Sequence, residues 1–192
     1  MRKWKVWKTI KIGTGLRTAD DFRQAFKKEN CVIDHHANIA LDNLVLTTSK
    51  IEREIDLVAV SGEELGFVEG ELYVRDIGFG GIPQVYRRHI YKRAQELGLK
   101  ICSAEVALQL CRQLNYQPQE EEELQIGMEP LKNDDDPDPW VFCVENFNNN
   151  SSRLELSTAT KDCWSITDCW VFTLPRKNNK NKNRHKKNFR KS

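Results

Sequence analysis

The sequence predicts an α+β fold, with about three helices in the first two-thirds of the chain, an antiparallel meander in the C-terminal third and a disordered basic tail. Three observations lead to this prediction. Capped segments with helical spacing of apolar residues occupy residues 18–30 and 83–114. Short apolar runs separated by polar turns begin at about residue 124. The last seventeen residues consist mostly of Lys, Arg and Asn. Helices first and strands later, with few repeated βαβ units, are typical of the α+β class.

The N-terminal segment is predicted to form a strand followed by a helix. Residues 4–12 largely alternate apolar and polar side chains, and a Gly-Thr-Gly turn follows them. Thr18 is placed to cap a helix, and Asp21 completes a capping box three residues later. The apolar stripe of this helix consists of Phe22, Ala25 and Phe26.

The next segments are shorter and less regular. Residues 33–41 are predicted to form a short helix or a turn. Residues 55–60 are mostly apolar and β-branched, which favours a buried strand. Residues 62–81 contain six glycines and are predicted to be rich in loops.

Two further helices are predicted between residues 83 and 114. Pro83 suits the first position of a helix, and Gly98 is placed to end it. Ser103 is placed to cap the next helix, which we expect to run to about Leu114.

Four short strands are predicted in the last third of the chain, at residues 124–128, 140–144, 154–156 and 170–174. The turns between them are rich in Asp, Pro, Asn and Ser. We expect the four strands to pair in an antiparallel meander.

The charge of the chain is divided between an acidic body and a basic tail. The whole chain has a formal charge of +2, and nine positive charges with no acidic residue lie from Arg176 onward, so residues 1–175 carry −7. The tail has too few apolar residues to offset its ordering entropy, which predicts disorder. We therefore divide the chain into a single domain of residues 1–176 and a disordered polybasic tail of residues 177–192.

A polybasic tail indicates a partner that carries phosphate groups, because Lys and Arg release counterions when they bind them. The sequence predicts a non-enzymatic binding module that contacts RNA, DNA or the ribosome without sequence specificity. Arg88 and Lys92 provide a secondary basic face on the second helix. A tail that only solubilises the chain, or that docks on its own acidic body, is the alternative. The predicted contact residues of the tail are Lys177, Lys180, Lys182, Arg184, Lys186, Lys187, Arg190 and Lys191.

A second hypothesis is a small metal-dependent hydrolase. Asp34, His35 and His36 spell the signature triplet of the DHH phosphoesterases, and Asp and His ligands suit manganese. Those enzymes resemble a doubly wound domain with earlier Asp motifs, whereas here no Asp precedes Asp20. The sequence therefore predicts no metal site, no cofactor and no catalytic residue.

Two observations of the folded body would separate the remaining hypotheses. An open pocket lined by His36, Glu64 and Glu105 would favour an enzyme. A closed acidic surface would favour the third hypothesis, a protein–protein interaction module that uses its negative charge.

The six cysteines and the N-terminus bear on the compartment. Lys5, Lys8 and Lys11 interrupt the apolar residues near the N-terminus, which is not typical of a signal peptide. No run of about 18 apolar residues is present, so no membrane contact is expected. We predict a cytoplasmic protein whose cysteines are buried, reduced thiols.

Five blocks of the sequence resemble an uncharacterised family of small bacterial proteins. They span roughly residues 4–177, and Ser103 stands where that family usually has proline. The resemblance implies a domain shared among bacteria, with the basic tail as an addition, and it carries no activity or functional residues. The blocks are WKTIKIGTGLRTADDFRQAF, IDLVAVSGEELGF, RAQELGLKICSAEVALQL, IGMEPL and WVFTLPRK.

Overall fold

The computed structural model describes residues 4–44, 46–69, 74–76, 83–114, 122–133, 136–147, 151–158 and 163–176. The helices in these residues are α1 (Ala19–Lys28), α2 (His35–Asn43), α3 (Gly62–Leu65), α4 (Arg87–Glu96) and α5 (Ala104–Gln113). The strands are β1 (Lys8–Ile12), β2 (Cys31–Ile33), β3 (Arg53–Ser61), β4 (Val74–Asp76), β5 (Pro83–Tyr86), β6 (Glu122–Ile126), β7 (Leu131–Asn133), β8 (Asp136–Phe147), β9 (Ser151–Thr158), β10 (Cys163–Ser165) and β11 (Cys169–Leu174). Within this described part, no helix is long and apolar enough to cross a membrane.

One large sheet draws its strands from both halves of the chain. Its order is β1-β3-β11-β6-β8-β9-β2, and β7 pairs with β8 beside this path. The β11–β6 and β2–β9 pairs are parallel, and the other pairs along this path are antiparallel. A smaller sheet has the order β10-β5-β4.

The predicted α+β class is wrong, because helices and strands are not segregated along the chain. The structure is dominated by strands, and β1 and β3 of the N-terminal half share a sheet with β6, β8 and β9. The last strand, β11, lies between β3 and β6 and is parallel to β6, so the C-terminal third is not a simple meander. Hydrogen bonds between strands join residues that are distant in sequence, and local residue patterns do not report such pairings.

The first helix is confirmed together with its capping box. The Thr18 hydroxyl accepts a hydrogen bond from the backbone N–H of Asp21 at 3.1 Å, and the Asp21 carboxylate accepts one from the backbone N–H of Thr18 at 2.9 Å. The apolar stripe of Phe22, Ala25 and Phe26 is buried.

The predicted helix at Pro83 begins four residues later than expected, at Arg87. Residues from Pro83 to Tyr86 form β5 instead, which pairs with β10 and β4. Proline is tolerated at the first position of a strand as well as of a helix. The partner strand β10 lies far along the chain, so the local signal favoured the wrong element.

A single buried cluster fills the space between the large sheet and its helices. Helix α5 is the most deeply placed helix, since every residue from Glu105 to Cys111 is buried. It packs against β1, β8 and β9.

The prediction of reduced thiols is wrong for two of the six cysteines. Cys31 of β2 and Cys111 of α5 form a disulfide across 80 residues of sequence, and both are buried. Ser152 of β9 faces Cys31 in register and donates a hydrogen bond to the Cys111 carbonyl at 2.6 Å. The disulfide therefore fastens α5 to the β2 end of the sheet. Cys102 and Cys143 are buried thiols, as predicted, whereas Cys163 and Cys169 are only partly buried, so the prediction of burial is wrong for these two.

Candidate functional site

The predicted contacts of the basic tail lie outside the described residues, since Lys177, Lys180, Lys182, Arg184, Lys186, Lys187, Arg190 and Lys191 all follow Arg176. Arg176 itself is bound to the body. Its Nε and Nη2 atoms lie 2.8 and 2.7 Å from the Asp56 carboxylate oxygens, and its Nη2 lies 3.4 Å from Glu54. The hydrogen bond from Arg176 lowers the pKa of Asp56. The last described residue, Arg176, thus lies beside the acidic residues of β3.

The secondary basic face on α4 is exposed. Arg88 and Lys92 lie one helical turn apart on the solvent side. The Arg88 guanidinium lies 4.4 Å from the centre of the Tyr86 ring, and its Nε lies 3.2 Å from His89 Nε2. Partial burial, together with the positive charges of Arg88 and Lys92, lowers the pKa of His89. This face therefore presents two cations, with an aromatic ring beside them.

The Asp-His-His triplet is used to start a helix. Asp34 is the N-cap of α2, and its Oδ2 accepts hydrogen bonds from the backbone N–H groups of His36 at 2.7 Å and Ala37 at 3.4 Å. Partial burial acts to raise the pKa of Asp34, but the backbone hydrogen bonds outweigh it and the net pKa is lowered. The Nδ1 atom of His36 lies 3.5 Å from the same oxygen.

Among the described residues, no group of three His, Cys, Asp or Glu side chains has the geometry of a metal site. The triplet contributes one carboxylate, and that carboxylate is already held by backbone N–H groups. The structure therefore adds no support to the hypothesis of a metal-dependent hydrolase using Asp34, His35 or His36.

The structure does not bring Glu64 and Glu105 together with His36. Glu64 closes a capping box with Ser61 at the start of α3. Glu105 is buried, and its two oxygens each accept a hydrogen bond of 2.7 Å, from the backbone N–H groups of Gly13 and Ser49. Both glutamates hold loops and helix ends, so the pocket that would have favoured an enzyme does not form from these residues.

A cavity of about 590 Å³ opens between α2, the amino end of α5 and the segment that joins β6 to β7. Its wall is mainly apolar and includes the side chains of Ile39, Leu44, Met128, Leu131, Trp140 and Leu156. The polar side chains in the wall are His36, Thr47, Ser103 and Glu129. Concave, mostly apolar sites with a few polar groups are typical of small-molecule binding sites.

Hydrogen bonds fix the segment that forms one side of this cavity. The buried Tyr91 hydroxyl donates a hydrogen bond to the Met128 carbonyl at 2.7 Å and accepts one from the Met128 N–H at 3.0 Å. The Cys102 N–H donates to the Gly127 carbonyl at 2.7 Å, which joins the approach to α5 to the same segment. Burial raises the pKa of Tyr91, so its hydroxyl keeps its proton.

The opposite side of the cavity is formed by α2, which is hydrogen-bonded to α1. The Arg23 guanidinium donates to the Asn38 side chain at 2.7 Å and to Asp42 at 2.6 Å. The ring of His36, in the first turn of α2, lies 5.9 Å from the ring of Trp140 on β8. Both sides of the cavity are therefore held by contacts that do not involve an occupant.

Comparisons of the chain with protein-family models, with curated proteins and with solved structures found no match. The proposed relationship to small bacterial proteins therefore remains a prediction from sequence, and the cavity is interpreted from its own geometry.

Sequence reasoning singled out His36 but missed the rest of the cavity wall. The missed residues come mainly from two of the blocks that carry the family resemblance. ICSAEV supplies residues 102–104 of the wall, and IGMEPL supplies residues 128–131. The clustering of two such blocks was the available signal, but only the fold shows that they meet.

Proposed function

We propose that the body of this protein binds a small, largely apolar molecule in the cavity between α2 and the amino end of α5. The observation that carries this proposal is the cavity itself, whose volume of about 590 Å³ lies in the range of ligand sites. An occupant that covers the apolar wall removes it from water, which stabilises the complex by about 25 cal/mol for each Å² of wall covered. Ile39 remains 45% exposed in the wall, so an occupant has apolar surface to cover.

The supporting contacts make the cavity pre-formed. Tyr91 holds Met128 on one side, and Arg23 holds α2 on the other. A site that is already ordered loses little conformational entropy when a ligand enters, which favours binding.

The test uses N-phenyl-1-naphthylamine, a neutral apolar probe whose fluorescence rises in an apolar site. We expect saturable binding of one probe per chain. Ala40 lies in the wall on α2, and Ala40→Phe is expected to weaken binding because the added ring occupies part of the cavity. Binding is measured by fluorescence titration of the full chain.

The matched control is Gln24→Phe, which adds the same ring at an exposed position of α1 away from the cavity. Both variants must retain the cooperative unfolding of the parent protein. Probe binding that does not saturate, or that is equal in the two variants, would overturn the proposal.

We also propose that the basic tail attaches the protein to RNA or DNA through phosphate contacts. Two observations support this second function. The tail of residues 177–192 carries eight positive charges, which leaves −6 on residues 1–176, and Arg88 and Lys92 add an exposed basic face on the body. The contact is expected to be independent of sequence, because phosphates carry no base information.

Truncation after Arg176 is expected to remove most of this binding while keeping the ion pairs of Arg176 with β3. If the eight cations of residues 177–192 contact single-stranded RNA, log K should fall with log salt at a slope of about −5.6. Arg88→Ala with Lys92→Ala should make the slope shallower by about 1.4.

Lys27→Ala with Lys28→Ala on α1 is the matched control, since it removes the same charge from another exposed helix. Fluorescence anisotropy with a labelled oligonucleotide measures each slope. Equal affinity of the full chain and the truncated chain would contradict the tail proposal.

A further inference from the structure

We infer that the cavity selects an organic cation, an apolar chain or ring system that carries an ammonium group. This inference rests on the proposed binding function of the cavity. The carboxylate of Glu129 lies in the wall, and the described lining residues include no Lys or Arg. The formal charge of the lining is therefore negative, which favours cationic over anionic occupants.

The aromatic wall strengthens the preference for a cation. Trp140 lies in the wall beside His36, with the two ring centres 5.9 Å apart. Tryptophan has the most favourable ring for an ammonium group, which is attracted to the negative face of the indole. The same side chain also offers apolar area to the rest of the occupant.

A second carboxylate adds to the negative potential at the His36 side. Asp34 caps α2, and its Oδ2 lies 3.5 Å from His36 Nδ1. Its pKa is lowered by backbone hydrogen bonds, so it is ionised at neutral pH. Glu129 in the wall and Asp34 beside His36 thus give a largely apolar site two nearby carboxylates.

Two positive features oppose this preference, and each is offset by a nearby carboxylate. The amino end of α5 lines the wall at Ser103, whose side chain makes no capping hydrogen bond, and Glu105 in the first turn offsets the helix dipole. Arg153 lies within electrostatic range of Asp34, but it pairs with Glu155 at 2.9 Å and with Glu145 at 3.7 Å.

Three probes with the same eight-carbon chain test the charge preference: octylamine, 1-octanol and octanoate. At pH 7 they are cationic, neutral and anionic. We expect affinity for the full chain in the order octylamine, octanol, octanoate, as measured by titration calorimetry. Ala40→Phe is titrated in parallel, and the part of the binding that it weakens is assigned to the cavity.

Glu129→Gln identifies the source of the preference. It is expected to weaken the affinity for octylamine about fivefold, which is the upper range for a partly solvated ion pair. It should leave the affinity for octanol unchanged. The matched control Glu63→Gln removes an exposed carboxylate of α3, outside the wall, and should change neither affinity. Trp140→Leu should reduce the ratio of octylamine to octanol affinity about threefold.

The outcomes separate the inference from the function on which it rests. Octanoate binding that equals or exceeds octylamine binding, or octylamine affinity that is the same in Glu129→Gln, would overturn the cation preference while leaving an apolar site. If none of the three probes competes with N-phenyl-1-naphthylamine and the fluorescent probe itself does not bind, both proposals fall together.

Discussion

Replacing Cys31 and Cys111 together with alanine is expected to lower the free energy of unfolding by about 4.5 kcal/mol. The estimate follows from the loop that the disulfide closes, since the two residues are 80 apart in sequence. Closing a long loop restricts the unfolded chain, and breaking the crosslink restores that freedom. Such a loss is a large share of the 5–15 kcal/mol that stabilises a typical domain.

Urea unfolding of the parent protein and the double variant, with and without reductant, measures this effect. Reductant should lower the stability of the parent protein toward that of the variant, apart from the packing that alanine removes, and should leave the variant unchanged. Cys143→Ala is the control, because Cys143 is a buried thiol outside the disulfide. The Cys143→Ala variant should have a lower free energy of unfolding only because packing is lost. The loss should be the same with and without reductant. A parent protein that is equally stable with and without reductant would rule out a stabilising disulfide.

The disulfide also bears on the cavity. Cys111 lies near the carboxyl end of α5, and the amino end of the same helix supplies Ser103 and Ala104 to the cavity and its approach. Loss of the crosslink frees the buried helix from β2, so weaker binding of the apolar probe is expected to accompany the loss of stability.

The sequence predicted the elements that are determined by neighbouring residues. Thr18 and Asp21 are three positions apart, and their capping box marked α1 correctly. Ser103 marked the start of α5 correctly, although its side chain makes no capping hydrogen bond. In both cases the helical spacing of apolar residues after the cap was a local and sufficient signal.

The sequence did not predict how the strands are ordered. β11 was expected to end a meander, yet it lies between β3 and β6 and joins the two halves of the chain. Its own residues do not identify the strands that flank it. The disulfide was missed for the same reason, since Cys31 and Cys111 meet only after β2 and α5 reach the same end of the sheet.

Most residues of the cavity wall were missed for the same reason. His36 was noticed because it belongs to a short motif, whereas Trp140 belongs to no motif and comes from a distant segment. A site formed by α2, the amino end of α5 and the β6–β7 segment depends on topology. It could therefore not be predicted while the order of the strands was unknown.

Glu105→Ala is expected to lower the free energy of unfolding by about 3 kcal/mol or more. Glu105 is only 2% exposed, and its two oxygens accept backbone hydrogen bonds from Gly13 and Ser49, at 2.7 Å each. Hydrogen bonds to a charged group contribute about 1.5–3 kcal/mol each, and alanine would leave both N–H groups without this acceptor. The carboxylate therefore joins two separate loops to α5.

Glu105→Gln tests how much each of the two hydrogen-bonded carboxylate oxygens contributes to stability. Glutamine keeps one acceptor oxygen but faces the other N–H with its own amide donor, so a loss of about half that of alanine is expected. Glu63→Ala is the control, because this exposed glutamate also lies in the first turn of a helix, and it should change stability by less than about 0.5 kcal/mol. Equal stability of Glu105→Ala and the parent protein would contradict the role in joining the loops.

The same Glu105 substitutions are also expected to change probe binding in the cavity, because Glu105 holds the backbone of Ser49. Thr47 lines the wall two residues before Ser49, whose backbone N–H is held by Glu105. Loss of that hydrogen bond should loosen residues 47–49 and weaken N-phenyl-1-naphthylamine binding at temperatures where the variant is still folded. In Glu105→Gln, the loss of probe affinity depends on which N–H keeps the acceptor oxygen. Full affinity indicates that Ser49 retains it, and reduced affinity indicates that Gly13 does, so stability and binding together assign the role of each carboxylate oxygen.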